Sequence, residues 1–337
     1  MNKQPNIALL GCGYWGKNLA RNFNSLGVLK TICDPSEAGR ARAAELAPDA
    51  VIESDFDAVF KDRTIDAVAI ATPAETHCQL GIAAMEAGKD VFVEKPLALT
   101  YAEGCRMEER AQELDRILMV GHLLEYHPAV LKIRELIASG ELGRINYIYS
   151  NRLNFGKIRT EENALWSFAP HDIAIILRLV GESPLEVTCV GGSYITPNLA
   201  DVTVSNLHFR SGVRAHVFVS WLNPFKEQKL VVVGDRKMAV FDDTSQNEKL
   251  ILFDQRVNVE DRTPILQKKD SRVVELEAGE PLRNECAHFI ECVAERKTPL
   301  TDARSGNNVL EVLQACEISQ RLNGRPTLLS GISDRKS

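Results

Sequence analysis

The chain has 337 residues, enough for about two domains, and its 45% hydrophobic and 26% charged residues are globular proportions. Forty basic against 46 acidic residues leave a net charge of −6, which argues against a nucleic-acid partner. No apolar run reaches the ~18 residues of a membrane span, and a chain this long buries a core without disulfides or metals.

The first 120 residues or so alternate short apolar runs with helical segments. Asn6–Leu10 reads as a buried strand bounded by glycine, Tyr14–Leu26 as a helix closed by Gly27, and Val28–Cys33 as a second strand. Ser36–Leu46 is helical with Ser36 as N-cap. Strands follow at Ala50–Glu53, Asp66–Thr72, Asp90–Val93 and Arg116–Val120, with helices at Glu75–Ala87 and Thr100–Leu114, the latter with a Thr100/Glu103 capping box. This alternation predicts an α/β fold, a doubly wound parallel sheet covered on both faces.

Past Gly121 the pattern changes. After a helix at about 128–138 come strand-prone runs at Ile145–Arg152, Leu185–Ile195, Asp201–Phe209, Val213–Trp221, Lys229–Val233, Met238–Phe241 and Lys249–Phe253. Several alternate apolar and polar residues, and Arg210–Gly212 and Gly234–Arg236 read as short turns, so the expected pairing is antiparallel. Apolar positions on the outward face predict that another subunit covers it. Helices return over 280–323. The expected division is a parallel-sheet domain at 1–121 and a second domain at 122–330, with the last helices packing back on the first. The tail Ser333–Ser337 is expected to fray.

Gly11-Cys12-Gly13-Tyr14-Trp15-Gly16 follows a predicted strand and opens a predicted helix, and Asp34 ends the second strand. That context is the dinucleotide fingerprint. The helix N-terminus suits the pyrophosphate, and Asp34 suits the ribose hydroxyls while repelling a 2′-phosphate, so NAD is expected ahead of NADP. Arg40 either reaches a 2′-phosphate or is a solvated helix-face residue. Two further segments end predicted strands: Thr72-Pro73, followed by His77, and Glu94-Lys95-Pro96. Ligands bind beyond the carboxyl ends of parallel strands, so Lys95 is placed to stabilise a forming carbonyl oxygen. Pro170 reads as the first turn of a helix. His171 and Asp172 would then sit at its N-terminus, leaving His171 neutral as a general base or as a structural cap.

The eight cysteines show no C-x-x-C spacing and read as reduced thiols of a cytoplasmic protein. The apolar run ending at Gly11 is too short for a signal peptide. Cys286 and His288 stand two apart in a predicted helix, where side chains do not face each other, so no metal is expected.

Together these motifs resemble the Gfo/Idh/MocA oxidoreductases over about residues 5–327. The resemblance implies an N-terminal Rossmann domain and a C-terminal α/β domain with a large, mostly antiparallel open sheet that builds homodimers or homotetramers. It implies NAD(P)-dependent oxidation or reduction of one carbon of a sugar, inositol or nucleotide sugar, with Lys95 and His171 catalytic. The expected cofactor set is Gly11, Gly13, Tyr14, Trp15, Gly16, Asp34, Thr72, Pro73, His77, Glu94 and Lys95. Many members carry Asp four residues before the histidine, where this chain has Ser167. Gly121–Ala129 and Leu165–Asp172 are similar to the branch near nucleotide-sugar 3-dehydrogenases, which act on UDP-linked N-acetylated sugars. The expected substrate set is Lys95, His122, Tyr126, Arg152, Asn154, Lys157, Arg159, Ser167 and His171. The alternatives are an inositol or free-sugar dehydrogenase, and a non-catalytic NAD-binding sensor.

Overall fold

The computed structural model describes residues 4–329; the tail Ser333–Ser337 lies outside them. The chain forms two compact units. One comprises the chain up to Tyr126 together with Gly279–Leu310. The other comprises His127–Ala278 and the chain from Glu311 onward.

The first unit is built on β1 (Ile7–Leu10), β2 (Leu29–Cys33), β3 (Val51–Glu53), β4 (Ala67–Ile70), β5 (Asp90–Glu94) and β6 (Leu118–Gly121). All six are parallel, in the order β3-β2-β1-β4-β5-β6. The order reverses between β1 and β4, which opens a crevice beyond their carboxyl ends. The connecting helices are α1 (Gly16–Ser25), α2 (Glu37–Leu46), α3 (Phe56–Lys61), α4 (His77–Glu86) and α5 (Tyr101–Glu113). Ser36 caps α2 and Thr100 caps α5, each accepting from the backbone three residues on. The pattern missed α3, because only Val59 of it is buried and no apolar stripe marks it. A later helix, α8 (Pro281–Glu295), completes this core. Its Phe289 meets Phe23 and Phe92 edge-on, with ring centroids 6.4 and 5.7 Å away.

The second unit contains α6 (Pro128–Ala138), β7 (Ile145–Phe155), α7 (Ala164–Val180), β8 (Glu186–Gly192), β9 (Val202–His208), β10 (Arg214–Ser220), β11 (Leu222–Gly234), β12 (Met238–Asp242), β13 (Leu250–Glu260), β14 (Thr263–Val273) and β15 (Thr327–Leu328). Its nine strands run β14-β13-β12-β11-β7-β10-β9-β8-β15. Every pair is antiparallel except β7 with β10. One face packs on α7. The other is half-buried and largely apolar or aromatic, with Tyr149 stacked on His216 at 5.2 Å and the Tyr147 hydroxyl 2.6 Å from His216 Nδ1.

Two expectations about this unit are corrected. The helix bearing His171 starts at Ala164, capped by the Asn163 side chain, so Pro170 lies inside it. His171 is therefore past the first turn, where the helix N-terminus has no hold on its charge. The long ribbon β13–β14 extends beyond the predicted Lys249–Phe253. Its outer part has no core face, so no alternation betrays it. Among the described residues, no helix is long and apolar enough to cross a membrane.

Phe289→Ala removes one ring of a fully buried cluster. Urea unfolding should show a loss of roughly 3–5 kcal/mol. A loss below ~1 kcal/mol would mean α8 does not belong to this core.

Candidate active site

In the glycine loop, Gly11 takes φ +90°, and a Cβ on it would lie 2.9 Å from the Ala71 carbonyl oxygen. A Cβ on Gly16 would lie 2.1 Å from the Gly11 carbonyl oxygen. Packing therefore demands both glycines. At Gly13 a Cβ would meet nothing within 4 Å. That empty space above the backbone is the cradle a pyrophosphate requires, so the loop fits a dinucleotide. Tyr14 is exposed, with the Lys17 ammonium over its ring.

Asp34, at the end of β2, faces this loop. Its Oδ2 accepts from the Cys12 N–H at 2.7 Å, and its Oδ1 from the Ser36 N–H at 2.8 Å and the Ser36 hydroxyl at 2.7 Å. Burial opposes its charge, but these hydrogen bonds prevail and hold its carboxyl below the usual range. Gly39 makes room for it, since a Cβ there would sit 2.1 Å from the Asp34 carboxyl carbon. Arg40 is folded back on the carbonyl oxygens of Asp34 and Pro35, at 3.0 and 2.7 Å. Arg42, which the sequence did not single out, donates to the Cys12 carbonyl.

The ends of β4 and β5 are tied together by His77. It is buried, with Nδ1 2.8 Å from the Pro96 carbonyl oxygen and Nε2 3.0 Å from that of Thr72. Burial lowers its pKa, and the two carbonyls only partly restore it. His77 thus positions Thr72, Pro73 and Pro96 rather than offering a ring to a ligand. Beside it, the Lys95–Pro96 peptide is cis.

Glu94 is buried. One carboxylate oxygen accepts from the Trp15 indole N–H and the other from the Lys95 N–H at 3.2 Å. Gly121 clears the space, because a Cβ there would lie 3.0 Å from Glu94 Oε2. Burial pushes the Glu94 carboxyl up to about 7, against the pull of Trp15 and Lys95. Glu285 of α8 is fully buried, and neither carboxyl oxygen has a hydrogen-bond partner among the described residues. Burial first, then the charges of Glu94 and Glu125, drive its pKa well up. Sequence reasoning missed Glu285, since a glutamate in an amphipathic helix ordinarily reads as surface.

In the second unit, Asp172 is buried and binds Arg152 through both oxygens, at 2.7 Å to Nε and 3.0 Å to Nη2. The Ser150 hydroxyl adds a third bond at 2.6 Å. Arg152 is thus a fastener between β7 and α7 and not a free cation for a substrate. Ser167 and His171, four residues apart on α7, share a helix face. Lys157 is exposed, Asn154 is half-buried, and Arg159 pairs with Glu162 at 3.1 Å. Back in the first unit, His122 is buried, and Tyr126 sits in the core with its hydroxyl 3.2 Å from that of Thr301. Among the described residues none of the eight cysteines forms a disulfide. No group of three metal-ligating side chains occurs among the described residues.

Residues 5–122 match the oxidoreductase family with an NAD-binding Rossmann fold, and residues 130–240 match the GFO/IDH/MocA C-terminal domain. The chain is 29% identical to scyllo-inositol 2-dehydrogenase (NAD(+)) of Bacillus subtilis, over 98% of this chain and 97% of that protein. It is 32% identical to 2,7-anhydro-N-acetylneuraminate hydratase of Mediterraneibacter gnavus, over 57% of this chain and only 53% of that protein. It is 25% identical to UDP-N-acetylglucosamine 3-dehydrogenase of Acidithiobacillus ferrooxidans, over 90% of this chain and 93% of that protein. A solved structure of that enzyme covers 94% of this chain and 98% of its own, with TM-score 0.82 and 23% identity, a likeness of fold.

Glu94 has its pKa raised from 4.5 to about 7, so folding penalises its charged form. The penalty is absent below about pH 4.5, grows as pH rises toward 7 and then levels off. It amounts to about 1.4 kcal/mol per pKa unit. Glu94→Gln keeps an acceptor for Trp15 but never ionises. Its stability relative to the parent should climb between those two pH values in denaturant titrations. Parallel stability curves would show that Glu94 is not held in a low-dielectric site.

Proposed function

We propose that this chain, which belongs to the Gfo/Idh/MocA oxidoreductase family, transfers hydride between NAD and a secondary hydroxyl or ketone of a sugar. The substrate proposed is a nucleotide-linked sugar, a UDP-N-acetylated sugar oxidised at its 3-position. The observation that carries the reading is the convergence of the glycine loop on the end of β5. Trp15 of the loop binds Glu94, and Lys95 is the next residue.

When bound, NAD supplies the hydride acceptor. The backbone around Gly13 and the start of α1 would hold its pyrophosphate, and Asp34 would accept from its ribose hydroxyls. Tyr14, Trp15, Thr72 and Pro73 complete the residues proposed to bind it. The role proposed for the Lys95 ammonium is to hold the reacting oxygen and stabilise the charge that develops on it. The role proposed for His171 is to take the hydroxyl proton. Ser167, on the same helix face, can orient the imidazole by a hydrogen bond but supplies no charge to favour the imidazolium.

The nucleotide-linked substrate is supported by the match, over 90% of this chain, to a relative named UDP-N-acetylglucosamine 3-dehydrogenase. A free inositol is the second reading, supported by the match, over 98% of this chain, to a relative named scyllo-inositol 2-dehydrogenase. The proposal includes self-association through the outward face of the nine-stranded sheet, supported by its half-buried aromatic residues. It also includes a cytoplasmic location, where the eight cysteines, none of them in a disulfide, stay reduced. Turnover of NAD with UDP-N-acetylglucosamine and with scyllo-inositol decides between the two substrates. Turnover with neither defeats both.

Lys95→Ala should lower kcat ~10²–10³-fold while NAD affinity stays within a few-fold. His171→Ala should cost about 10²–10⁴-fold at neutral pH and remove the acidic limb of the pH–rate profile. Near-normal turnover in both variants would end this assignment.

Asp34→Ala should relax discrimination against NADP, because a carboxylate repels the 2′-phosphate. The check is calorimetric titration of parent and variant with each cofactor. A parent that binds NADP more tightly than NAD contradicts the electrostatic argument.

A further inference from the structure

One end of the nine-stranded sheet exposes aromatic surface that the folding of its unit does not use. Register sets five strand ends level there: Gly192 pairs with Val202, Val202 with Ser220, Ser220 with Leu153, and Phe155 with Leu222. Just beyond them stand Phe155, 72% exposed, and Phe225, 61% exposed. Phe225 lies in an irregularity of β11, where Asn223–Lys226 face only Asn154 of β7 and leave the ladder. Each ring travels with an exposed cation, Lys157 two residues after Phe155 and Lys226 directly after Phe225.

The neighbouring loop between β8 and β9 is pinned. The buried Asp201 carboxylate accepts from the Tyr194 N–H at 2.6 Å, the Ile195 N–H at 2.9 Å and the Trp221 indole. Tyr194 is thereby presented 73% exposed on an anchored turn. The same loop receives the first N–H of α7, from Ala164 to the Ala200 carbonyl at 2.8 Å. The aromatic patch thus borders the start of the helix that carries Ser167 and His171.

We propose that Phe155 and Phe225, with Lys157 and Lys226, form a subsite for a nucleoside diphosphate, the leaving portion of the sugar's activated linkage. The inference rests on the nucleotide-sugar reading above. Base faces stack on exposed rings without needing sequence-specific contacts. Two exposed lysines within two residues of the phenylalanines carry charge that matches a diphosphate. A free polyol has neither a π-face nor a charge to use them. A second copy of the chain would have to bury two lysines, which interface cores exclude.

The test is calorimetric titration of the full chain with UDP, with NAD saturating so that the dinucleotide site is filled. UDP should bind the parent and bind Phe155→Ala and Phe225→Ala roughly 5–100-fold more weakly. The double variant Lys157→Ala/Lys226→Ala should bind more weakly and lose part of the salt dependence. NAD affinity should be the same in all, which reports intact folding. Absence of UDP binding to the parent overturns the subsite, as does equal UDP affinity in the phenylalanine variants. A changed sedimentation coefficient with unchanged UDP affinity also overturns it and assigns the patch to a second copy. If UDP behaves as expected but a UDP-linked sugar is not oxidised, the subsite stands and the substrate reading fails. If the sugar is oxidised with an unchanged KM in both phenylalanine variants, the subsite fails and the substrate reading stands.

Discussion

The constraint on which the first unit's site depends is the 2.1 Å that would separate a Cβ on residue 16 from the Gly11 carbonyl oxygen. Only glycine lets α1 begin directly over the end of β1. That placement brings the Cys12 N–H to Asp34, the Cys12 carbonyl to Arg42 and the Trp15 indole to Glu94. One tight turn thus gathers β2, α2 and β5 around the backbone at Gly13, where an added Cβ would meet none of the described residues within 4 Å. A site of this kind is organised before any ligand arrives, which limits the ordering cost of binding.

The same region is held at a cost in stability. Glu94 and Glu285 are both buried, and among the described residues Glu285 has no hydrogen bond to offset its desolvation. Burial raises the pKa of both carboxyls. The second unit solves its polar burial differently. Asp172 receives two bonds from Arg152 and one from Ser150, so the helix carrying His171 is fixed in rotation against β7. A buried pair so fully bonded specifies geometry more than it adds stability.

The sequence revealed what local pattern can encode. Buried strands read as apolar runs, the caps Ser36 and Thr100 sat where spacing put them, and the spacing from Gly16 to Asp34 identified the acid that meets the loop. What escaped were features set by distant partners. Pro170 looks like a helix start until the Asn163 cap is seen upstream of it. Arg152 looks like a free cation until Asp172 is seen against it. Glu285 looks solvated until α8 is found in the first unit's core. The outer ribbon β13–β14 has no buried face, so no periodicity could mark it.

The proposed reaction moves hydride from a sugar carbon to NAD on a framework built by the glycine loop, Asp34 and the end of β5. Deuterium at C3 of UDP-N-acetylglucosamine, incubated with the native protein and NAD, tests that most directly. Deuterium should enter the reduced cofactor, read by mass spectrometry, at the rate at which the sugar is oxidised. Reduced cofactor without the label, or loss of the label to water, would contradict it.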